Sequence, residues 1–139
     1  MAITTLPGAT ATDLTTLTGT DGADVFSPTT AEADKIVVAA RKGNDLITFS
    51  DSVTNSDIRA GRDGDTVTFV KSLEKSNVNG DKGNDTITVT QDTFSSTVDG
   101  GENIDTLTFT REVSDSYIYG GTSNDTITLS ALVTNTLVN

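Results

Sequence analysis

Cysteine, histidine and tryptophan are absent from this 139-residue chain, methionine occurs once and proline twice. Without cysteine there are no disulfides and no thiolate metal sites, and without histidine there is no imidazole ligand and no commonest general base. Any cation held here must be a hard one bound through oxygen. Apolar residues make up 34% and aromatic residues 5% of the chain, too few for a thick core of interlocking large side chains. No run approaches the eighteen apolar residues of a membrane helix, so membrane insertion is not expected. The start, M-A-I-T-T-L-P at 1–7, lacks the basic and apolar segments of a secretory signal. Positive charge is also scarce, with 9 basic against 20 acidic side chains and a formal charge of −11. Such a surface repels a phosphate backbone, which excludes nucleic acid as a partner.

What is abundant is threonine, which, like valine and isoleucine, suits strands because branching at Cβ stiffens χ1 and packs well on a pleated surface. The class is all-β. Aspartates fall at Asp45, Asp65, Asp85, Asp105 and Asp125, twenty residues apart, and each opens the same kind of segment: D-L-I-T-F, D-T-V-T-F, D-T-I-T-V, D-T-L-T-F, D-T-I-T-L. Asp24 precedes Asp45 by twenty-one, which implies one inserted residue in the first full coil. Val38, Ile58, Val78, Val98, Ile118 and Val138 form one apolar column, Ile47, Val67, Ile87, Leu107 and Ile127 a second, and Phe49, Phe69, Val89, Phe109 and Leu129 a third. Ser56, Ser76, Ser96 and Ser116 add a small polar column. Twenty residues hold two short strands and two turns, one coil that buries nothing until another stacks on it. The expected fold is a parallel β-solenoid of about six 20-residue coils over 19–139, with residues 1–18 as an N-terminal cap or docking arm.

The turns read G-T-D-G-A-D at 19–24, R-K-G-N-D at 41–45, A-G-R-D-G-D at 60–65, G-D-K-G-N-D at 80–85, G-G-E-N-I-D at 100–105 and G-G-T-S-N-D at 120–125. They resemble the RTX family, the haemolysin-type β-roll whose nonapeptide is G-G-x-G-x-D-x-U-x, with U a large apolar residue. The resemblance covers 19–129 and is one-sided, since only one turn per coil carries the aspartate. It implies calcium between adjacent turns, with Asp24, Asp45, Asp65, Asp85, Asp105 and Asp125 as ligands and Asp63 and Asp81 as further oxygens. A stack of carboxylates one coil apart repels by roughly 1–3 kcal/mol per neighbouring pair at intermediate dielectric constants, which a cation would relieve. The alternative is metal-free, each aspartate accepting N–H bonds within its own turn. Asp63, Asn103 and Ser123 stand where the motif has its fourth-position glycine, and a Cβ there resists positive φ.

Strand alternation sends Thr66, Thr68, Thr86, Thr88, Thr106, Thr108, Thr126 and Thr128 outward as a grid. This T-x-T grid looks like the ice-binding surface of solenoid antifreeze proteins, although threonine is also simply favoured on exposed strands. Arg59, Arg62, Lys71, Lys75 and Lys82 read as scattered, and no nucleophile and base come together, so the chain is not expected to be an enzyme. The C-terminal segment L-S-A-L-V-T-N-T-L-V-N at 129–139 ends on an apolar strand with no blocker, an edge suited to pairing. Together these features favour a non-catalytic structural subunit of an extracellular assembly, a virion decoration or fibre protein or a cell-surface layer component, contacting itself or a capsid or layer protein through the solenoid ends. A calcium-binding RTX module of a secreted protein and an ice-binding protein are the alternatives. The expected location is extracellular or on a virion surface, without a signal peptide.

Overall fold

The computed structural model describes residues 2–4, 15–28 and 33–139. It is a parallel β-solenoid in which every ladder pairs like positions of consecutive coils. Asparagines, serines and charged residues at the corners break the chain into short strands, and the period of twenty brings each strand back onto its own copy. Ile87 pairs with Val67 on one side and Leu107 on the other, and Val78 with Ile58 and Val98. The register steps by 21 at Phe26↔Ile47 (47 − 26) and by 20 at Ala33↔Val53 (53 − 33), so the inserted residue lies between Phe26 and Ala33.

Each coil has three strands, not the two expected from the sequence. A seven-stranded threonine sheet contains Leu46–Phe49, Thr66–Phe69, Thr86–Val89, Thr106–Phe109 and Thr126–Leu129, and a seven-stranded long sheet contains Asp57–Arg62, Asn77–Lys82, Thr97–Glu102 and Tyr117–Thr122. Between them runs a six-stranded short sheet of two-residue strands such as Val53–Thr54, Leu73–Glu74 and Val113–Ser114. Two residues show no alternation, which is why that side reads as a turn. Ala2–Thr4 and Thr15–Thr18 continue the threonine and long sheets, and the rest of the expected cap, residues 1 and 5–14, lies outside the described residues.

All three sheets line one narrow core. The expected columns face it, with Ile47, Phe49, Ile58, Val67, Phe69, Val78, Ile87 and Leu107 fully buried, and the short sheet adds Val53, Leu73 and Val113. Phe49 and Phe69 stack with ring centroids 5.1 Å apart and planes 4° from parallel. At the far end Ile127 and Leu129 are only partly buried and Leu132, Val133, Leu137 and Val138 are exposed, since Thr126–Leu129, Val133–Thr134 and Leu137–Val138 are the outermost strands of the three sheets.

The serine column is a structural ladder. Ser56 N–H donates to Ser76 Oγ, Ser76 N–H to Ser96 Oγ and Ser96 N–H to Ser116 Oγ, at 3.1, 3.2 and 3.1 Å. Each Oγ then donates to the carbonyl two residues back: Ser76 to Glu74 at 2.7 Å, Ser96 to Phe94 at 2.9 Å and Ser116 to Ser114 at 2.7 Å. This bond holds the corner into the long sheet, where Asn55, Lys75, Ser95 and Asp115 all take left-handed φ between 47° and 51°. Replacing Ser96 by alanine strips the buried Ser76 N–H of its acceptor, and a loss of about 1–3 kcal/mol is expected from the denaturant midpoint, with an unchanged slope.

Candidate functional site: the aspartate ladder and the threonine face

The six aspartates stack on the corner between the long and threonine sheets and point inward. Asp24, Asp45, Asp65, Asp85 and Asp105 are at most 2% exposed. They do not, as a rule, bond within their own turns, as the metal-free reading had it. The N–H of each aspartate donates to Oδ1 of the next: Asp24 to Asp45, Asp45 to Asp65, Asp65 to Asp85 and Asp85 to Asp105, all at 2.7 Å, and Asp105 to Asp125 at 2.9 Å. Among the described residues only the first turn has the carboxylate closing on its own loop, Asp24 Oδ2 accepting from Thr20 N–H at 2.5 Å and Thr20 Oγ1 at 3.0 Å. The other oxygen, Oδ2, is buried without a partner in Asp45, Asp65, Asp85 and Asp105.

This arrangement penalises charge. Burial pushes Asp45 and Asp105 up to about 6 and Asp65 and Asp85 up to about 7; the N–H bond from the preceding aspartate opposes the rise and the neighbouring carboxyls add to it. Asp63 and Asp81 stand outside the ladder. Asp63 Oδ2 accepts from Gly43 N–H at 3.1 Å, and Asp81 lies 4.0 Å from Arg59. The turn backbone is left-handed at two positions per coil whatever the residue: Asp63, Asn103 and Ser123 adopt φ of 78°, 85° and 101° beside Gly43 at 103° and Gly83 at 140°. The expected resistance of a Cβ is overridden because stacking on both sides fixes the turn, at about 1 kcal/mol for each such residue.

Gly80 and Gly100 leave space beside the ladder. A Cβ at Gly80 would collide with both Asp85 Oδ2 and the carbonyl oxygen of Gly100 in the next coil, and one at Gly100 with Asp105 Oδ2 and the Gly120 carbonyl. A carboxylate oxygen and a peptide oxygen from adjacent coils therefore converge beside each glycine, a donor set suited to a hard cation. In the two preceding coils the same column holds Ala40 and Ala60, fully buried, whose methyl groups stand where that convergence would be. Calcium thus fits the oxygens around Asp85 and Asp105 and not those around Asp45 and Asp65. Among the described residues no group of three or more acidic side chains gathers around one point, so peptide oxygens would have to complete a shell of six to eight.

The threonine sheet presents the second candidate. Thr66, Thr86, Thr106 and Thr126 pair in register, as do Thr48, Thr68, Thr88, Thr108 and Thr128. Sequence reasoning missed a third outward column, Ser50, Val70, Thr90, Thr110 and Ser130, in which Thr90 Oγ1 donates to Val70 O at 2.8 Å and Thr110 Oγ1 to Thr90 O at 2.9 Å. From Leu46 to Ser130 no outward position of this sheet carries a charge, on a chain with 29 charged residues (20 + 9). Strand spacing of about 4.8 Å and a two-residue rise of about 6.6 Å set the mesh.

No protein-family profile matches the chain, and no curated protein matches it. A solved structure does: the X-ray crystal structure of a hyperactive, Ca2+-dependent, β-helical antifreeze protein from an Antarctic bacterium, with a TM-score of 0.68 and 24% identity, over 84% of this chain and 41% of that one. This chain spans about two fifths of that protein's length. The likeness establishes the β-helical fold. It shows no kinship to a named family of RTX proteins beyond that.

Proposed function

We propose that the chain is a non-catalytic ice-binding module acting through its threonine sheet. The observation that carries this reading is the charge-free, in-register hydroxyl face on an otherwise strongly acidic molecule. Charged groups hold hydration shells of their own, whereas a rigid array of hydroxyls and methyls at a fixed spacing orders water along two axes at once. Threonine suits this because branching at Cβ limits its rotamers, so the array is set before water arrives. The likeness to an antifreeze protein of the same fold supports the reading.

Calcium enters the same proposal as a structural ion. That neighbour is Ca2+-dependent, and here Asp85 and Asp105, with the carbonyls of Gly100 and Gly120, would hold the ion. Bound there, it would neutralise buried charge and tie neighbouring coils together, keeping the sheet flat and in register. An extracellular location follows from the reading, as ice forms outside cells first. The virion or surface-layer reading rests on the uncovered strands at the end of the sheets, and nothing else supports it.

The deciding experiment is ice-crystal microscopy with calcium present. Crystals grown with the protein should become faceted and stop growing over a measurable interval below the melting point. Disc-shaped crystals growing freely at millimolar protein would sink the reading.

A further inference from the structure

The basic side chains that read as scattered in the sequence are gathered. Three of the four arginines, Arg41, Arg59 and Arg62, line one pocket of ≈ 340 Å³ on the long sheet, together with Lys82, Asp81 and Glu102. Ala39 and Gly61 are its smallest lining residues, and Gly61 has left-handed φ (116°), where a Cβ would collide with the Arg41 backbone of the preceding coil.

One wall is a column of paired positions: Lys42 opposite Arg62, Arg62 opposite Lys82 and Lys82 opposite Glu102. Like charges at directly paired strand positions are destabilising, so three consecutive cations oppose the fold instead of supporting it. The ends of the run are neutralised, Lys42 by Asp21 at 2.9 Å and Lys82 by Glu102 at 2.8 Å. The middle is not: Arg62 forms no ion pair among the described residues, and Arg41 and Arg59 reach Asp21 and Asp81 only at 3.9 and 4.0 Å. A molecule of net charge −11 thus keeps, at the centre of its one concentration of arginine, a guanidinium with no contact ion pair that acts on Asp21 only at longer range.

We infer that this pocket binds the acid group of an anionic sugar, such as a uronate or a sulfated hexose. A guanidinium matches a carboxylate or sulfate through two parallel N–H bonds, which lysine cannot do. The volume is that of a small-ligand site and admits one ring, and Asp81 and Glu102, which also line the pocket, accept from its hydroxyls. An extended polyphosphate is disfavoured because the rest of the surface repels it. The site lies on the long sheet, not on the threonine sheet, and does not depend on ice binding.

The test is isothermal titration calorimetry of the whole chain with a galacturonate trimer, the neutral galactose trimer and sodium sulfate. Saturable binding of the uronate, none of the neutral sugar, and competition by sulfate are expected. Arg62→Gln should weaken uronate binding at least tenfold and melt no lower than the parent, since it removes a cation flanked by cations. Lys71→Gln, which loses only an ion pair with Asp51 at another corner, should bind as the parent does. Absence of uronate binding, sulfate binding without uronate, or equal affinity in Arg62→Gln each overturns the assignment.

Discussion

Replacing Thr88 and Thr108 together by lysine is expected to abolish ice shaping, with at least a tenfold loss of thermal hysteresis, while the protein stays folded. The two residues are paired neighbours at the centre of the face, flanked by Thr86, Thr90, Thr106 and Thr110. Two ammonium groups there carry tightly held water that no ice lattice accommodates, and they stand one strand spacing apart, so neither can fold away without crossing a neighbouring column. The stability cost is small because the positions point outward: a strand-propensity change within about 1 kcal/mol and a like-charge pair lower the melting temperature by no more than about 5 °C. Measuring hysteresis and circular dichroism on the same sample separates loss of function from loss of fold. Retention of full hysteresis by the double variant would move ice contact away from this sheet or dismiss it.

The period of twenty made the fold legible. Once Asp45, Asp65, Asp85, Asp105 and Asp125 align, the apolar columns, the threonine columns and the stacking direction follow from strand alternation, and the structure places each where the columns put it. Side chains that act across coils were harder to read. The aspartates read either as calcium ligands or as turn formers, because their partner is an N–H one coil away and nothing in a single turn announces it. The short sheet escaped notice because Val53–Thr54 and its copies are too brief for a pattern, although Val53, Leu73, Thr93, Val113 and Val133 also repeat at twenty. Arg62 looked isolated for the opposite reason: its neighbours Lys42 and Lys82 lie twenty residues away on either side. Aligning charges by column, as was done for threonine, would have shown the run Asp21, Lys42, Arg62, Lys82, Glu102.

With calcium chelated, the protein should be more stable in mild acid than in mild base, the reverse of an ordinary acidic protein whose carboxylates are paired. Asp45, Asp65, Asp85 and Asp105 bind their protons more tightly folded, at about 6, 7, 7 and 6, than at the ordinary value of 3.8. The folded chain therefore holds more protons than the unfolded one between these limits, and stability falls as pH rises through that window. Asp21 and Asp34, held below the ordinary range by hydrogen bonds from Lys42 and Asn55, work the other way but lie at the surface, where solvent screens them. Sharing of protons along the ladder spreads the transition, and a melting temperature about 10 °C lower at about pH 8 than at about pH 5 is the expected net result. Asp85→Asn keeps the acceptor for Asp65 N–H, removes the buried charge and turns an N–H donor toward the side where the Gly100 carbonyl lies. In chelator at the higher pH it should melt about 5 °C above the parent, and the pH dependence should shrink. Millimolar calcium should raise the parent's melting temperature at that pH and leave the Asp85→Asn, Asp105→Asn double variant unmoved. A lower melting temperature for Asp85→Asn in chelator would mean that the charge is already satisfied in the metal-free fold, and both the proton ladder and the calcium assignment would fall with it.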